Sequence, residues 1–243
     1  MRADADIVIE PRRGKREKLL PKRALMVVNP SEADAAARIF SSFLGETRSL
    51  YQSKLLVDKN NRLCLAGPAL GAPAAALLME KLIVLGVQEI WLLSCCGSLD
   101  PSLLIGDLLL GSSAVSGEGV SQYYSSDIIS KPSVSVTSSL QLFMKKQAIA
   151  AASGVIWSTD APYREMKSKL LYLQERYGVV GIDMEYSALC TVARFRGIAF
   201  GGLFVVSDEI WGSGWKPGFS KPIFKDRCRE IMEKLISHGL QEE

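Results

Sequence analysis

Histidine is almost absent from this 243-residue chain, in which His238 stands alone. A single imidazole rules out a His-rich metal site and leaves little room for Ser-His-Asp or Cys-His nucleophile schemes. Cysteine is sparse and odd in number. Cys64, Cys95, Cys96, Cys190 and Cys228 include no C-x-x-C pair, so neither a disulfide framework nor a zinc ribbon is indicated. They read as reduced thiols of a cytoplasmic protein. An excess of one charge is missing too: 29 Lys and Arg face 26 Asp and Glu, and a net charge of +3 is too small to imply a nucleic-acid partner. Apolar runs are broken by Gly, Pro or charge well short of the ~18 residues that cross a bilayer, so no membrane partner is expected. Arg12, Arg13, Lys15, Arg16 and Lys18 form a basic cluster with no apolar secretion-signal stretch behind it. Glu10 and Glu17 interrupt that cluster, and residues 1–22 read as a basic arm, solvated or packed on a neighbouring subunit.

What the chain does contain is 48% hydrophobic residues in short runs that alternate with helical patterns. That alternation marks an α/β fold with a mostly buried sheet. Strands are predicted over 24–28, 62–66, 89–94, 107–114, 154–159, 179–183 and 199–206. Helices are predicted near 31–44, 73–85, 138–151, 164–176, 185–196 and 223–237, with Pro73 at a first-turn position and Gly86 and Gly197 as stops. With no linker and no internal repeat, residues 23–243 read as one catalytic-sized domain.

Functional groups in such sheets gather at strand ends, where loops hold them on a rigid base. Four polar clusters follow apolar strands: Gly67 to Pro73, Ser94-Cys95-Cys96-Gly97-Ser98, Asp183-Met184-Glu185 and Ser207-Asp208-Glu209. The first two are small turns able to offer backbone N–H groups to an anion or a sugar, although tight loop packing explains either one alone. Each acid could cap a helix. Two acids at two strand ends without an adjacent lysine or arginine point instead to recognition of sugar hydroxyls together with a proton donor.

These segments, with GVQEIWLLSCCGSLD, Ile105-Gly106-Asp107, WSTDAPYRE, GIDMEYSALCTVARFRG and VVSDE in that order, resemble the nucleoside phosphorylase and nucleosidase superfamily. That family includes purine and uridine phosphorylases and methylthioadenosine/adenosylhomocysteine nucleosidases. The resemblance runs from about residue 24 to 237 and implies a three-layer α/β/α sandwich around a mixed, partly closed sheet. It also implies a homo-oligomer, dimer or hexamer, that cleaves the bond between ribose and base without a cofactor, phosphate being a possible co-substrate. Residue by residue, it implies that Glu185 accepts hydrogen bonds from the ribose 2′- and 3′-hydroxyls with Met184 under the sugar. Asp208 matches the acid that protonates a purine nitrogen as the bond breaks. Asp183, Ser207, Cys95, Cys96 and Gly97 are implied as further substrate-binding residues. Trp157 and Tyr163 flank the base pocket, and Lys221 stands near enough in sequence to assist Asp208.

The pattern departs where the family binds phosphate, through a Gly-Asp-Pro-x-Arg loop, an arginine within the third strand and an arginine lent by a neighbour. Here the loop reads Val28-Asn29-Pro30-Ser31-Glu32, the strand arginine falls at Leu92, and only Arg48 remains for the neighbour's role. Losing two charge-assisted contacts at ~1.5–3 kcal/mol each puts ordinary phosphate use in doubt. The nucleosidase branch attacks with water held by a further glutamate, for which Glu10 and Glu32 are the candidates. Met166 and Ser168 stand where uridine-specific relatives read uracil, so a purine-type base is expected. Two other readings stay open. One is a nucleoside-binding relative without catalysis, against which Glu185 and Asp208 speak; the other is a dinucleotide enzyme, which would need GxGxxG where Asn29-Pro30-Ser31 stands.

Overall fold

The computed structural model describes residues 7–241, so residues 1–6 of the expected arm and residues 242–243 lie outside the described residues. The chain runs β1 (Arg23–Val27), α1 (Pro30–Phe40), β2 (Leu44–Leu50), β3 (Ser53–Asp58), β4 (Leu63–Gly67) and α2 (Ala72–Val84). It continues through β5 (Glu89–Ser98), β6 (Leu108–Gly117), β7 (Ile129–Ser130), α3 (Val134–Lys146), β8 (Ala152–Thr159), α4 (Lys167–Tyr177) and β9 (Val179–Asp183). It finishes with α5 (Tyr186–Arg196), β10 (Ala199–Glu209), β11 (Lys216–Pro217) and α6 (Pro222–Gln241).

All eleven strands belong to one mixed sheet. Its organising element is β5. Along one side β5 pairs with β10 over its whole length, whereas on the other it pairs first with β1, up to Leu93, and then with β9, at Gly97 and Ser98. Because β10 pairs with β6, β6 with β8 and β8 with β9, five strands close into a ring through β5. Strands β1, β4, β3 and β2 extend from it as an open wing, while the short β7 and β11 pair with β6 and β10. The expected α/β sandwich with a partly closed sheet is therefore what forms.

Two apolar layers cover the sheet. On one face α2 (Leu78, Met79, Leu82) packs with α5 (Leu189, Val192); on the other α1, α3 and α6 bury Phe40, Phe143, Ile231 and Leu235. Burial of one such aliphatic or aromatic side chain is worth ~1.5–3 kcal/mol, so these layers rather than surface ion pairs hold the sheet between its helices. A smaller cluster of Leu99, Val115, Trp157, Leu170 and Leu173 seats α4 against the ring.

Several boundaries differ from the sequence expectation. The 138–151 helix starts earlier, at Val134, and stops at Lys146, because Ala148 turns at φ +53° and Ala152 must pair with Leu109. The 31–44 helix ends at Phe40, since Leu44 already belongs to β2. The hairpin β2–β3 was absent from the expectation altogether, as were the short β7 and β11. Strands β5 and β10 run on to Ser98 and Glu209, so the Cys95 to Ser98 segment is strand and not turn. The arm also packs on its own chain. Lys81 Nζ donates to the Arg12 carbonyl and to Glu17 Oε2, and the Leu20 N–H donates to the Leu85 carbonyl. Among the described residues no helix is long and apolar enough to cross a membrane.

Candidate active site

Gly97 is the meeting point of the two acidic segments. Its register partner on β9 is Ile182, immediately before Asp183, and its partner on β10 is Asp208. A side chain at Gly97 could not be accommodated without displacement: a Cβ there would stand 2.8 Å from Ile210 Cδ1 and 3.0 Å from Asp208 Oδ2. The lack of one lets the backbone of β5 run directly beneath the acid.

Asp208 owes its direction to a break in the β10 ladder. Register shifts between Val206 and Asp208, leaving Ser207 as the extra residue, and such bulges re-aim the side chains that follow. Asp208 is 7% exposed. Ser207 Oγ donates to its Oδ1 at 2.6 Å, also lying 3.1 Å from the Cys96 carbonyl, and Trp215 Nε1 donates to Oδ2 at 2.8 Å.

Glu185 ends the β9–α5 turn and is 2% exposed. The Gly71 N–H, from the turn before α2, donates to its Oε1 at 2.5 Å. Burial, and then the neighbouring Asp183 carboxylate, push the Glu185 carboxyl well above the ordinary range, against the Gly71 hydrogen bond. Such a group gains most when a positive charge or hydroxyl donors arrive beside it. Met184 next to it is half-buried.

Asp183 does different work. Its Oδ1 accepts from Ser158 Oγ at 2.5 Å, while Oδ2 accepts from the N–H groups of Glu185 at 3.1 Å and Tyr186 at 2.7 Å. This carboxylate caps α5 from two residues ahead and fixes the Met184-Glu185 turn; with its oxygens so engaged it positions Glu185 rather than reaching toward a ligand. Asp183→Ala is expected to cost about 2–4 kcal/mol through the lost cap and the stranded Ser158 and N–H groups. Urea unfolding should show a lower midpoint at unchanged slope; a midpoint equal to wild type would remove this role.

The other sequence candidates divide. Cys96 and Gly97 lie on β5 beside Asp208, with Cys95 one residue upstream; burial pushes both thiols well up, so neither behaves as a nucleophile. Trp157 points into the α4 cluster beside Leu99 and Val115 and packs there as core. Tyr163 does not join the acids: it stands 95% exposed on the turn Pro162–Arg164. Arg48 lies on β2, where it donates to both Glu46 oxygens at 3.1 Å and to the Lys18 carbonyl at 2.7 Å. Lys221 is exposed and its N–H caps back to the Gly218 carbonyl. Glu10 is exposed beside Arg12, and Leu92 is core. Glu32, in the first turn of α1, accepts from Ser31 Oγ at 2.6 Å and adds negative charge beside Cys95. Among the described residues no cluster of three or more His, Cys, Asp or Glu is arranged to hold a metal ion.

The Gly67 to Pro73 turn does offer a backbone N–H to an anion, and it comes from Gly71 and goes to Glu185. Two further residues were not singled out from sequence: Trp215 holds Asp208, and Glu165 is half-buried with its carboxyl pushed up to about 7, by burial first and then by the Asp208 charge. Of these two, Trp215 carried a signal, an aromatic after a Gly-Ser-Gly loop that follows an acid-bearing strand.

The family model of the phosphorylase superfamily matches residues 22–237. A DeoD-type purine nucleoside phosphorylase of Dichelobacter nodosus is 26% identical over 155 residues, which cover 63% of this chain and 65% of that protein. The chain thus matches a little under two thirds of that relative's length. Among solved structures, the purine nucleoside phosphorylase of Toxoplasma gondii in complex with immucillin-H superposes with a TM-score of 0.75 at 22% identity, over 92% of this chain and 93% of the other. Futalosine hydrolase of Helicobacter pylori superposes with a TM-score of 0.73 at 19% identity, over 92% and 99%. At these identities the superpositions establish a shared fold.

Proposed function

Because the chain belongs to the phosphorylase superfamily, we propose that it cleaves the N-glycosidic bond of a purine-type nucleoside, with Glu185 holding the ribose hydroxyls and Asp208 donating a proton to the base. The observation that carries this reading is that the two acid-bearing segments lie on the strands flanking Gly97 of β5, with Glu185 and Asp208 both buried. The chemistry asks for that pair. As the bond breaks, the sugar becomes oxocarbenium-like, and a purine leaves poorly as an anion unless its ring nitrogen is protonated. A carboxylate that binds the 2′- and 3′-hydroxyls also stabilises positive charge on the ring. Burial makes Glu185 costly to ionise, and hydroxyl donors with a developing cation offset that cost. Met184 would support the sugar. No cofactor enters this scheme. Assembly as a homo-oligomer in the cytoplasm is part of the same proposal.

For the acceptor we favour water. A phosphate dianion entering beside β1 would meet Glu32 and find Leu92 in the core, while Arg48 of the same chain is engaged by Glu46. A like charge at close range and the cost of stripping water from a dianion would both oppose it. Cleavage of adenosine, inosine or their 5′-substituted relatives is therefore expected to proceed at the same rate with and without added phosphate and to release the free sugar. Accumulation of ribose 1-phosphate in proportion to added phosphate would reverse this assignment. A thermal-shift panel of nucleosides tests the binding step, since a ligand of the native state raises apparent stability.

A further inference from the structure

The hairpin beyond Asp208 carries side chains that the scheme above does not use. β10 and β11 pair Asp208 with Pro217 and Glu209 with Lys216, and the connecting residues 210–215 read Ile-Trp-Gly-Ser-Gly-Trp. Trp215 is 60% exposed, yet its indole nitrogen reaches a carboxylate oxygen that is almost wholly buried. Two lysines brace the loop: Lys167 Nζ donates to the Ser213 carbonyl at 3.3 Å, and Lys216 Nζ lies 4.5 Å from the centroid of the Trp211 ring. At Gly214, next to Trp215, an added Cβ would meet nothing within 4 Å, so the loop is open on that side.

We propose that Trp215 is a positioning residue that caps Oδ2 of Asp208 and is displaced from it by the base of a bound nucleoside. The inference rests on the reading of Asp208 as the proton donor. Ser207, itself buried, holds Oδ1, whereas Oδ2 is met by the exposed Trp215, so Oδ2 is the oxygen from which a proton would be passed. An indole N–H can only donate, and an unprotonated purine nitrogen can only accept. The indole takes a lone pair of Oδ2 where the base would need an O–H, so the two compete for the same side of that oxygen. Until a base arrives, the indole fixes the Asp208 rotamer; afterwards its flat, exposed ring is free to lie against the base it has made way for.

Tryptophan emission tests this in the whole protein. The chain has four tryptophans, so the Trp215 signal is the difference between wild type and Trp215→Phe, a variant that keeps a ring and loses the N–H. Without ligand, Asp208→Asn should change the emission in the wild-type background but not in the Trp215→Phe background. Adding adenosine or adenine should produce a saturable change in wild type that Trp215→Phe lacks, while thermal shift reports binding in both. With its competitor gone, Trp215→Phe should lower KM by ~2–10-fold, the equivalent of one net hydrogen bond, with a smaller change in kcat. An emission insensitive to Asp208→Asn, binding without a Trp215 signal, or a KM that is unchanged or raised would each overturn the cap. If wild type neither binds nor cleaves any nucleoside, the reading of Asp208 falls first and the cap with it, a result distinguishable from the other three.

Discussion

Replacing Glu185 by alanine is expected to remove turnover of the best nucleoside substrate by about 10²–10⁴-fold, since two hydrogen bonds to a charged acceptor are worth ~1.5–3 kcal/mol each. The loss should appear in kcat as well as in KM, because the carboxylate also stabilises charge that exists only as the bond breaks. Glutamine at this position separates fold from function. Glu185 is raised by burial and by Asp183, so the native state holds its proton where the unfolded chain has already released it. Native stability therefore falls as pH climbs from the ordinary glutamate range through the raised value, and Glu185→Gln should lack that decline. An inactive variant whose melting temperature exceeds that of wild type on the alkaline side is the expected outcome. A variant that turns over at the wild-type rate would take Glu185 out of the site.

Asp208→Asn is expected to slow cleavage of purine nucleosides by ~10²–10⁴-fold, the range typical of a general acid. Asparagine keeps the size of the side chain but turns an NH2 group toward one of the two donors, Ser207 Oγ or Trp215 Nε1, so the fold should persist with an unfolding midpoint modestly below wild type. The discriminating comparison uses a substrate whose base is a good leaving group without protonation. Its rate should fall far less than that of adenosine or inosine. Equal losses on both kinds of substrate would mean that Asp208 orients the nucleoside instead of donating a proton. Glu165 sharpens the design. Its carboxyl, pushed up to about 7, faces the same Asp208 charge, so a residual rate in Asp208→Asn is best measured together with Glu165→Gln.

Periodicity located the helices and the central strands because their burial is decided locally, by apolar residues at helical or strand spacing. The hairpin β2–β3 escaped for a definite reason. β2 alternates half-buried with exposed residues, is polar throughout its middle, and joins β3 through Tyr51 at φ +53° where Asn or Gly would have been the recognisable turn residue. The ends of β5 and β10 escaped for another: Cys95 to Ser98 are strand only because β10 and β9 flank them, a fact no local window contains. The same division runs through the site. Glu185 and Asp208 were legible as acids following apolar strands. The employment of Asp183 depended on Ser158, 25 residues away, that of Gly71 on Glu185, 114 away, and the inward turn of Trp157 on the packing of α4.

The ring through β5 has a consequence for how the protein is made. As synthesis proceeds, β5 can pair with β1 soon after it emerges, but its other side waits for β10, about 110 residues later in the chain. Pairings of such separation form late and leave an apolar strand edge uncovered in the meantime. Until residue 209 has been made, the nascent chain holds an open sheet, and the β10 flank of Gly97 is incomplete. Pairing of β10 along β5 then closes the ring and brings Asp208 to the strand end where β9 pairs. Resistance of β5 to proteolysis would then be acquired together with competence to bind a nucleoside.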